Sequence, residues 1–235
     1  MLVLENVTKR FGDHLVLSEC NLTLPKGESW GLVGPNGVGK TTTLRLIAGL
    51  EAPTAGRILV DGHAIDQEPE KVHRLIGFCP DVPFAYPFLT GWEFLSFIGS
   101  LWRLPPEQAK ADAEDLLERL GLAQAAHQLV ETYSRGMLQK LGLITAVLHR
   151  PKLLLLDEPF TAVDAESRVA MLAWLRAFVK EGGTLFFATH DMELIRTLAN
   201  KWVRIVDGHM VQRTAEAETA GRCTRHYRGS SSGDL

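Results

Sequence analysis

At 235 residues the chain is long enough for one well-buried core, and its 25 basic against 28 acidic side chains leave a net charge of −3, which argues against a nucleic-acid partner and the basic excess such a partner draws. Its three cysteines, Cys20, Cys79 and Cys223, are widely spaced without a C-x-x-C pair and point to a reducing compartment with no disulfide or zinc framework. The most apolar run, around Phe94 to Trp102, is far shorter than the roughly 18 residues expected of a membrane-crossing helix.

In chain order, Met1 to Glu5 enters a strand pattern directly, with no charged and apolar leader regions, so no signal peptide is expected and the chain reads as soluble by itself. From Leu2 to about Ile65 short strands alternate with turn signals at Pro25-Lys26-Gly27-Glu28 and Asp61-Gly62, the pattern of an antiparallel layer. Within it, Trp30 to Val33 reads as a short buried strand that runs into Gly34-Pro35-Asn36-Gly37-Val38-Gly39-Lys40-Thr41. That octet fits the phosphate-loop pattern G-x-x-x-x-G-K-[ST], and Leu44, Ile47 and Ala48 follow at helical spacing. Its glycines let backbone N–H groups turn inward around phosphate oxygens while the helix start adds positive potential. Gly34, Asn36, Gly37, Gly39, Lys40, Thr41 and Thr42 are the expected nucleotide contacts, with Lys40 on the terminal phosphates and the Thr41 hydroxyl on Mg²⁺.

Residues 82 to about 150 change character and read helical. Prolines 80, 83 and 87 hold their beginning as an irregular loop rich in aromatics, among them Phe84, Tyr86 and Phe88. Lys110 to Leu120 places Ala113, Leu116, Leu117 and Leu120 on one face, with Gly121 as its cap. Ser134 reads as the N-cap of a further helix with an inward stripe of Leu138, Leu141, Thr145 and Leu148, which Pro151 ends. Four leucines, 153 to 156, then make a strand buried on both faces. Asp157 and Glu158 emerge at its carboxyl end, where an open parallel sheet presents ligand-binding groups: Asp157 to hold Mg²⁺ and Glu158 to polarise an attacking water. A helix with Met171, Trp174, Leu175, Phe178 and Val179 on one face follows, ended by Gly182-Gly183, then a buried strand over Thr184 to Ala188. The fold expected is α/β: a phosphate-loop NTPase with a mostly parallel core sheet, an antiparallel β layer and an inserted helical subdomain. The core is 1–81 and 151–213, the subdomain 82–150, and 214–235 reads as a disordered tail.

With the phosphate loop and the Asp157-Glu158 pair in place, the chain resembles the nucleotide-binding domain of the ATP-binding cassette (ABC) family over residues 1 to 213. The family signature, usually Leu-Ser-Gly-Gly-Gln, corresponds to Tyr133-Ser134-Arg135-Gly136-Met137; Thr161-Ala162-Val163-Asp164 matches its D-loop and His190 its switch histidine. The resemblance implies that Phe11 stacks on adenine, that Ser134, Gly136 and Asp164 meet nucleotide across a dimer interface, and that Glu158, His190 and Lys40 are catalytic. Two departures from the pattern matter. Asp81 stands where the family has a glutamine and is carried over as a metal contact beside Thr41 and Asp157; Arg135 replaces the first signature glycine.

The function implied is that of an exporter-type ATPase subunit. Two copies would sandwich ATP and Mg²⁺ and drive a separate integral membrane permease from the cytoplasmic face of the membrane, the aromatic loop after Asp81 receiving the permease. The competing reading is a soluble non-transport cassette acting on ribosomes or DNA. Such proteins resemble fused cassettes with charged linkers or carry long coiled coils, and this chain has neither sustained heptads nor an internal repeat.

Overall fold

The four leucines of β7 (Leu153–Asp157) show how the core is built. Successive strand side chains point to opposite faces, so Leu153 and Leu155 enter one apolar cluster while Leu154 and Leu156 enter another. The computed structural model describes residues 1–214.

The N-terminal layer is a four-stranded antiparallel sheet of order β2-β1-β4-β5, formed by β1 (Leu2–Phe11), β2 (His14–Leu24), β4 (Ala55–Val60) and β5 (His63–Ala64). The second sheet has six strands in the order β10-β9-β3-β8-β7-β6. In it β3 (Ser29–Val33), β6 (Ile76–Cys79), β7, β8 (Thr184–Thr189) and β9 (Lys201–Val206) run parallel, and β10 (His209–Thr214) closes the edge antiparallel to β9. Register pairs Leu32 with Ala188 and Leu155 with Phe186, so β3, β8 and β7 lie side by side with their carboxyl ends level. This is the mostly parallel core and antiparallel layer expected. The strand β10 runs through Thr214; the rest of the tail lies outside the described residues.

Helix α1 (Lys40–Ile47) packs on β7 and β8, and its Leu44, Leu46 and Ile47 share one apolar cluster with Leu22 and Ile58 of the antiparallel sheet and Phe186 of the core sheet. The short α2 (Pro69–Leu75), absent from the sequence reading, leads into β6 with proline at its first position, where a missing N–H costs nothing. The helical segment comprises α3 (Gly91–Leu101), α4 (Pro106–Arg119) and α5 (Arg135–Val147). A capping box fixes the start of α3, Thr90 and Glu93 each accepting the other's backbone N–H. Helix α5 is buried on more than the single stripe expected, because the core sheet lies on one side and α3 and α4 on others. Its approach to the sheet is close: a Cβ on Gly77 would stand 2.1 Å from the Ala146 carbonyl oxygen. Helices α6 (Ala165–Lys180) and α7 (Met192–Leu198) cover the same face of the sheet.

Candidate active site

The site is built where β3, β7 and β8 end together. After Val33 the chain enters the Gly34–Gly39 loop, where Gly37 and Gly39 take φ of +80° and +111°, values that L side chains rarely adopt. Bulk is excluded there too, since a Cβ on Gly39 would meet Val16 Cγ1 of β2 at 2.9 Å. The same contact seats the β1–β2 hairpin against the loop, and at the tip of that hairpin Phe11 is 47% exposed with Lys9 Nζ 4.5 Å from its ring centre. Asn36 is exposed on the loop crest.

Lys40 opens α1 and folds back into the loop. Its ammonium is buried, donates to the carbonyls of Gly34 at 2.9 Å and Pro35 at 3.3 Å, and lies 3.4 Å from Glu158 Oε1. Thr41 is exposed and Thr42 half-buried at the helix start, while Thr43 turns inward and donates to Gly39 O.

Glu158 is the hub. It follows Asp157 with φ of +45°, a conformation uncommon for a non-glycine residue, held by its N–H donating to Ala188 O at 2.9 Å. Its carboxylate accepts from Thr189 Oγ1 at 3.2 Å and lies 3.1 Å from His190 Nδ1. Lys40, Glu158 and His190 are therefore in one cluster, as the sequence suggested. Thr189 is the member the sequence reading gave no role: it is buried at the end of β8 and also accepts from Asp191 N at 3.0 Å. A polar residue directly after the apolar run 185–188 was its only sequence signal.

Asp157 is 2% exposed, and its Oδ1 is buried with no hydrogen-bond partner. Burial pushes its carboxyl above the ordinary value, and the charges of Glu158 and Asp81 push the same way against the nearby Thr41 hydroxyl and Lys40. Such an acceptor beside a threonine hydroxyl suits a hard cation with oxygen ligands. Among the described residues no group of three His, Cys, Asp or Glu side chains is placed to hold a metal by itself, so Mg²⁺ here would need oxygens from nucleotide and water.

Asp81 is close enough for its charge to act on Asp157, yet its own buried Oδ1 has no hydrogen-bond partner, and Arg135 Nη2 stands 3.9 Å from it. Arg135 begins α5. Ser134 caps that helix, its Oγ accepting from Met137 N at 3.2 Å, and a Cβ on Gly136 would lie 3.0 Å from the Ala162 carbonyl. The D-loop is thus packed on the signature turn of its own chain. Asp164 caps α6 by accepting from Ser167 N at 2.8 Å, the contact that most lowers its pKa, and the buried Lys140 of α5 donates to Ser167 Oγ at 3.2 Å. Within one chain, then, Ser134 and Asp164 serve as helix caps, while Lys40, Glu158, Asp157 and His190 form the cluster. A separate cleft of about 530 Å³ at the other end of β7 and β8, lined by Arg119, Lys152, Trp174 and Phe178, holds none of the motif residues.

The family model described as "ABC transporter" matches residues 17–161. The linearmycin resistance ATP-binding protein LnrL of Bacillus subtilis (strain 168) is 36% identical over 211 residues, covering 90% of this chain and 68% of that protein. The ABC transporter ATP-binding protein NatA of the same organism is 34% identical over 224 residues, covering 92% of this chain and 89% of NatA. The Nod factor export ATP-binding protein I of Burkholderia lata is 35% identical over 206 residues, with 88% and 68% covered. Among solved structures, an ATP-binding subunit of an ABC transporter superposes with a TM-score of 0.88 at 25% identity, covering 97% of this chain and 95% of that one. The cassette MJ0796, solved as a dimer in a post-hydrolysis state with ADP and phosphate, gives 0.83 at 27% identity, with 91% and 98% covered. By the family model and by these relatives, the chain belongs to the ABC transporter family as an ATP-binding, ATP-hydrolysing subunit.

Proposed function

We propose that two copies of this chain close face to face on two ATP molecules with Mg²⁺ and that the cycle of closing and reopening drives an integral membrane permease. The observation that carries the reading is the division of the motif residues: Lys40, Asp157, Glu158 and His190 converge at the ends of β3, β7 and β8, while Ser134 opens a helix on the inserted segment. A signature helix start aimed at phosphate contributes the same N-terminal potential as the phosphate loop, applied from the opposite copy. The dimeric state in which MJ0796 was solved supports this arrangement.

On this reading, arriving phosphates replace the Gly34 and Pro35 carbonyls as partners of Lys40, which frees Glu158 from its ammonium. Glu158, oriented by Thr189, then positions water for attack in line with the leaving group, and His190 contacts the terminal phosphate. Thr41 and Asp157 would hold Mg²⁺, which when bound neutralises charge on the phosphates. Phe11 would meet the adenine face, and Asp164 and Gly136 would lie at the seam between copies.

The permease would dock on the loop after Asp81. Val82, Phe84 and Phe88 are about 70% exposed there, and Phe84, Phe97 and Leu101 border a cleft of about 340 Å³ floored by Phe94. Apolar surface of this kind on a chain with no helix long and apolar enough to cross a membrane, among the described residues, suits a membrane-embedded partner reached from the cytoplasmic side. The names of LnrL and the Nod factor protein, one for resistance and one for export, support an exporter.

The direct test is Glu158→Gln, which keeps shape and removes the base. Turnover should fall by about 10² or more, with ATP affinity by calorimetry retained. Normal hydrolysis by this variant would remove Glu158 from the chemistry.

A further inference from the structure

Two of the positions that depart from the family pattern stand next to each other: Arg135 Nη2 lies 3.9 Å from Asp81 Oδ1, across the gap between the loop that follows β6 and the start of α5. Either residue alone is unfavourable where it is. A guanidinium at the first position of a helix opposes the helix dipole, and Asp81 adds negative charge beside an already disfavoured Asp157. Each offsets the other's cost. At 3.9 Å the contact is one of charge and not a hydrogen bond, so the N–H fork of Arg135 is not consumed by it, and both side chains remain about half exposed.

We propose that Asp81 and Arg135 work as one unit: Arg135 adds a phosphate-binding cation to the signature turn, and Asp81 is the positioning residue that holds it there. The proposal rests on the face-to-face reading above, because Arg135 then meets the nucleotide bound by the opposite copy while Asp81 lies at the site of its own copy. It also gives Asp81 a task other than metal ligation. The ion pair ties the two sites together through the joint between core and helical segment, so a change at one carboxylate is felt by the cation facing the other nucleotide.

The test is a double-mutant cycle read as steady-state KM for ATP, kcat and the Mg²⁺ dependence of turnover on the full chain. Arg135→Ala should raise KM about tenfold with kcat within about twofold, the loss of one charge-assisted phosphate contact, and Arg135→Lys should recover part of it. Asp81→Asn should raise KM about threefold in the native background and change nothing further in the Arg135→Ala background. If Asp81→Asn still weakens the Mg²⁺ dependence when Arg135 is already alanine, Asp81 acts at the metal and the pair is refuted. If Arg135→Ala leaves KM unaltered while the Glu158→Gln chain still dimerises with ATP, Arg135 does not bind phosphate and only this proposal falls. If the Glu158→Gln chain never dimerises with ATP, the face-to-face reading fails and takes the proposal with it.

Discussion

Asp157 concentrates the conflict between stability and function in one side chain. Its ionised form is buried with a free oxygen and two acidic neighbours, so the folded pKa lies above the unfolded one. The sign follows: the ionised group costs stability at neutral pH, and that cost is relieved as pH falls through the raised folded value toward the ordinary 3.8. Asp157→Asn should therefore raise the melting temperature by about 2–4 °C near pH 7, corresponding to about 1 kcal/mol, and the gain should shrink in melts at pH 4, while Mg²⁺-dependent turnover falls steeply. A melting temperature below that of the native chain would show that the carboxylate is satisfied. Lys40→Ala should abolish most ATP binding in calorimetry with an unchanged circular dichroism spectrum, since the residue holds only loop carbonyls and Glu158. These residues were legible in the sequence because the loop's backbone geometry favours glycine at positions 37 and 39, whose φ L side chains rarely adopt, and Lys40 follows them directly. Thr189 was not, because its role arises from the β7–β8 pairing, and the nearness of Asp81 to Arg135 spans 54 positions of chain.

At the scale of elements, the strongest constraint on the site is the seat of α5 against β6. Gly77→Ala would force a Cβ into the Ala146 carbonyl, a backbone atom that cannot swing aside. Overpacking of that kind costs about 1–3 kcal/mol, and because α5 carries Ser134 and Arg135 the shift would also misplace the signature turn. Urea unfolding should show the loss; a native midpoint would mean that helix and strand can separate freely. The four leucines of β7 and the flanking acids were readable from sequence, since burial on both faces erases alternation and leaves a continuous apolar run. Helices α2 and α7 were not, being seven residues each and too short for a periodic face, although Pro69 at the start of one and the Asp191 cap of the other mark their beginnings. The burial of α5 on several sides depends on neighbours brought in by the fold and cannot be read from its own stripe.

For the whole molecule, the strand order β10-β9-β3-β8-β7-β6 sets the phosphate loop, the acidic strand end and His190 together at the carboxyl ends of neighbouring strands, while the inserted segment carries Ser134 and the apolar loop. That separation predicts two classes of defect. Phe84→Asp, on a side chain 71% exposed, should leave the ATPase rate of the isolated chain within about twofold and remove its stimulation by the permease in liposomes; retained stimulation would place docking elsewhere. The central claim is that ATP holds two copies together, with Lys40 of one copy and Ser134 of the other meeting the same nucleotide. Sedimentation of the Glu158→Gln chain tests it most directly. With ATP the protein should move from the mass of one chain to that of two and return to one when Lys40→Ala is added; a Glu158→Gln chain that stays at the mass of one copy in saturating ATP would contradict the account.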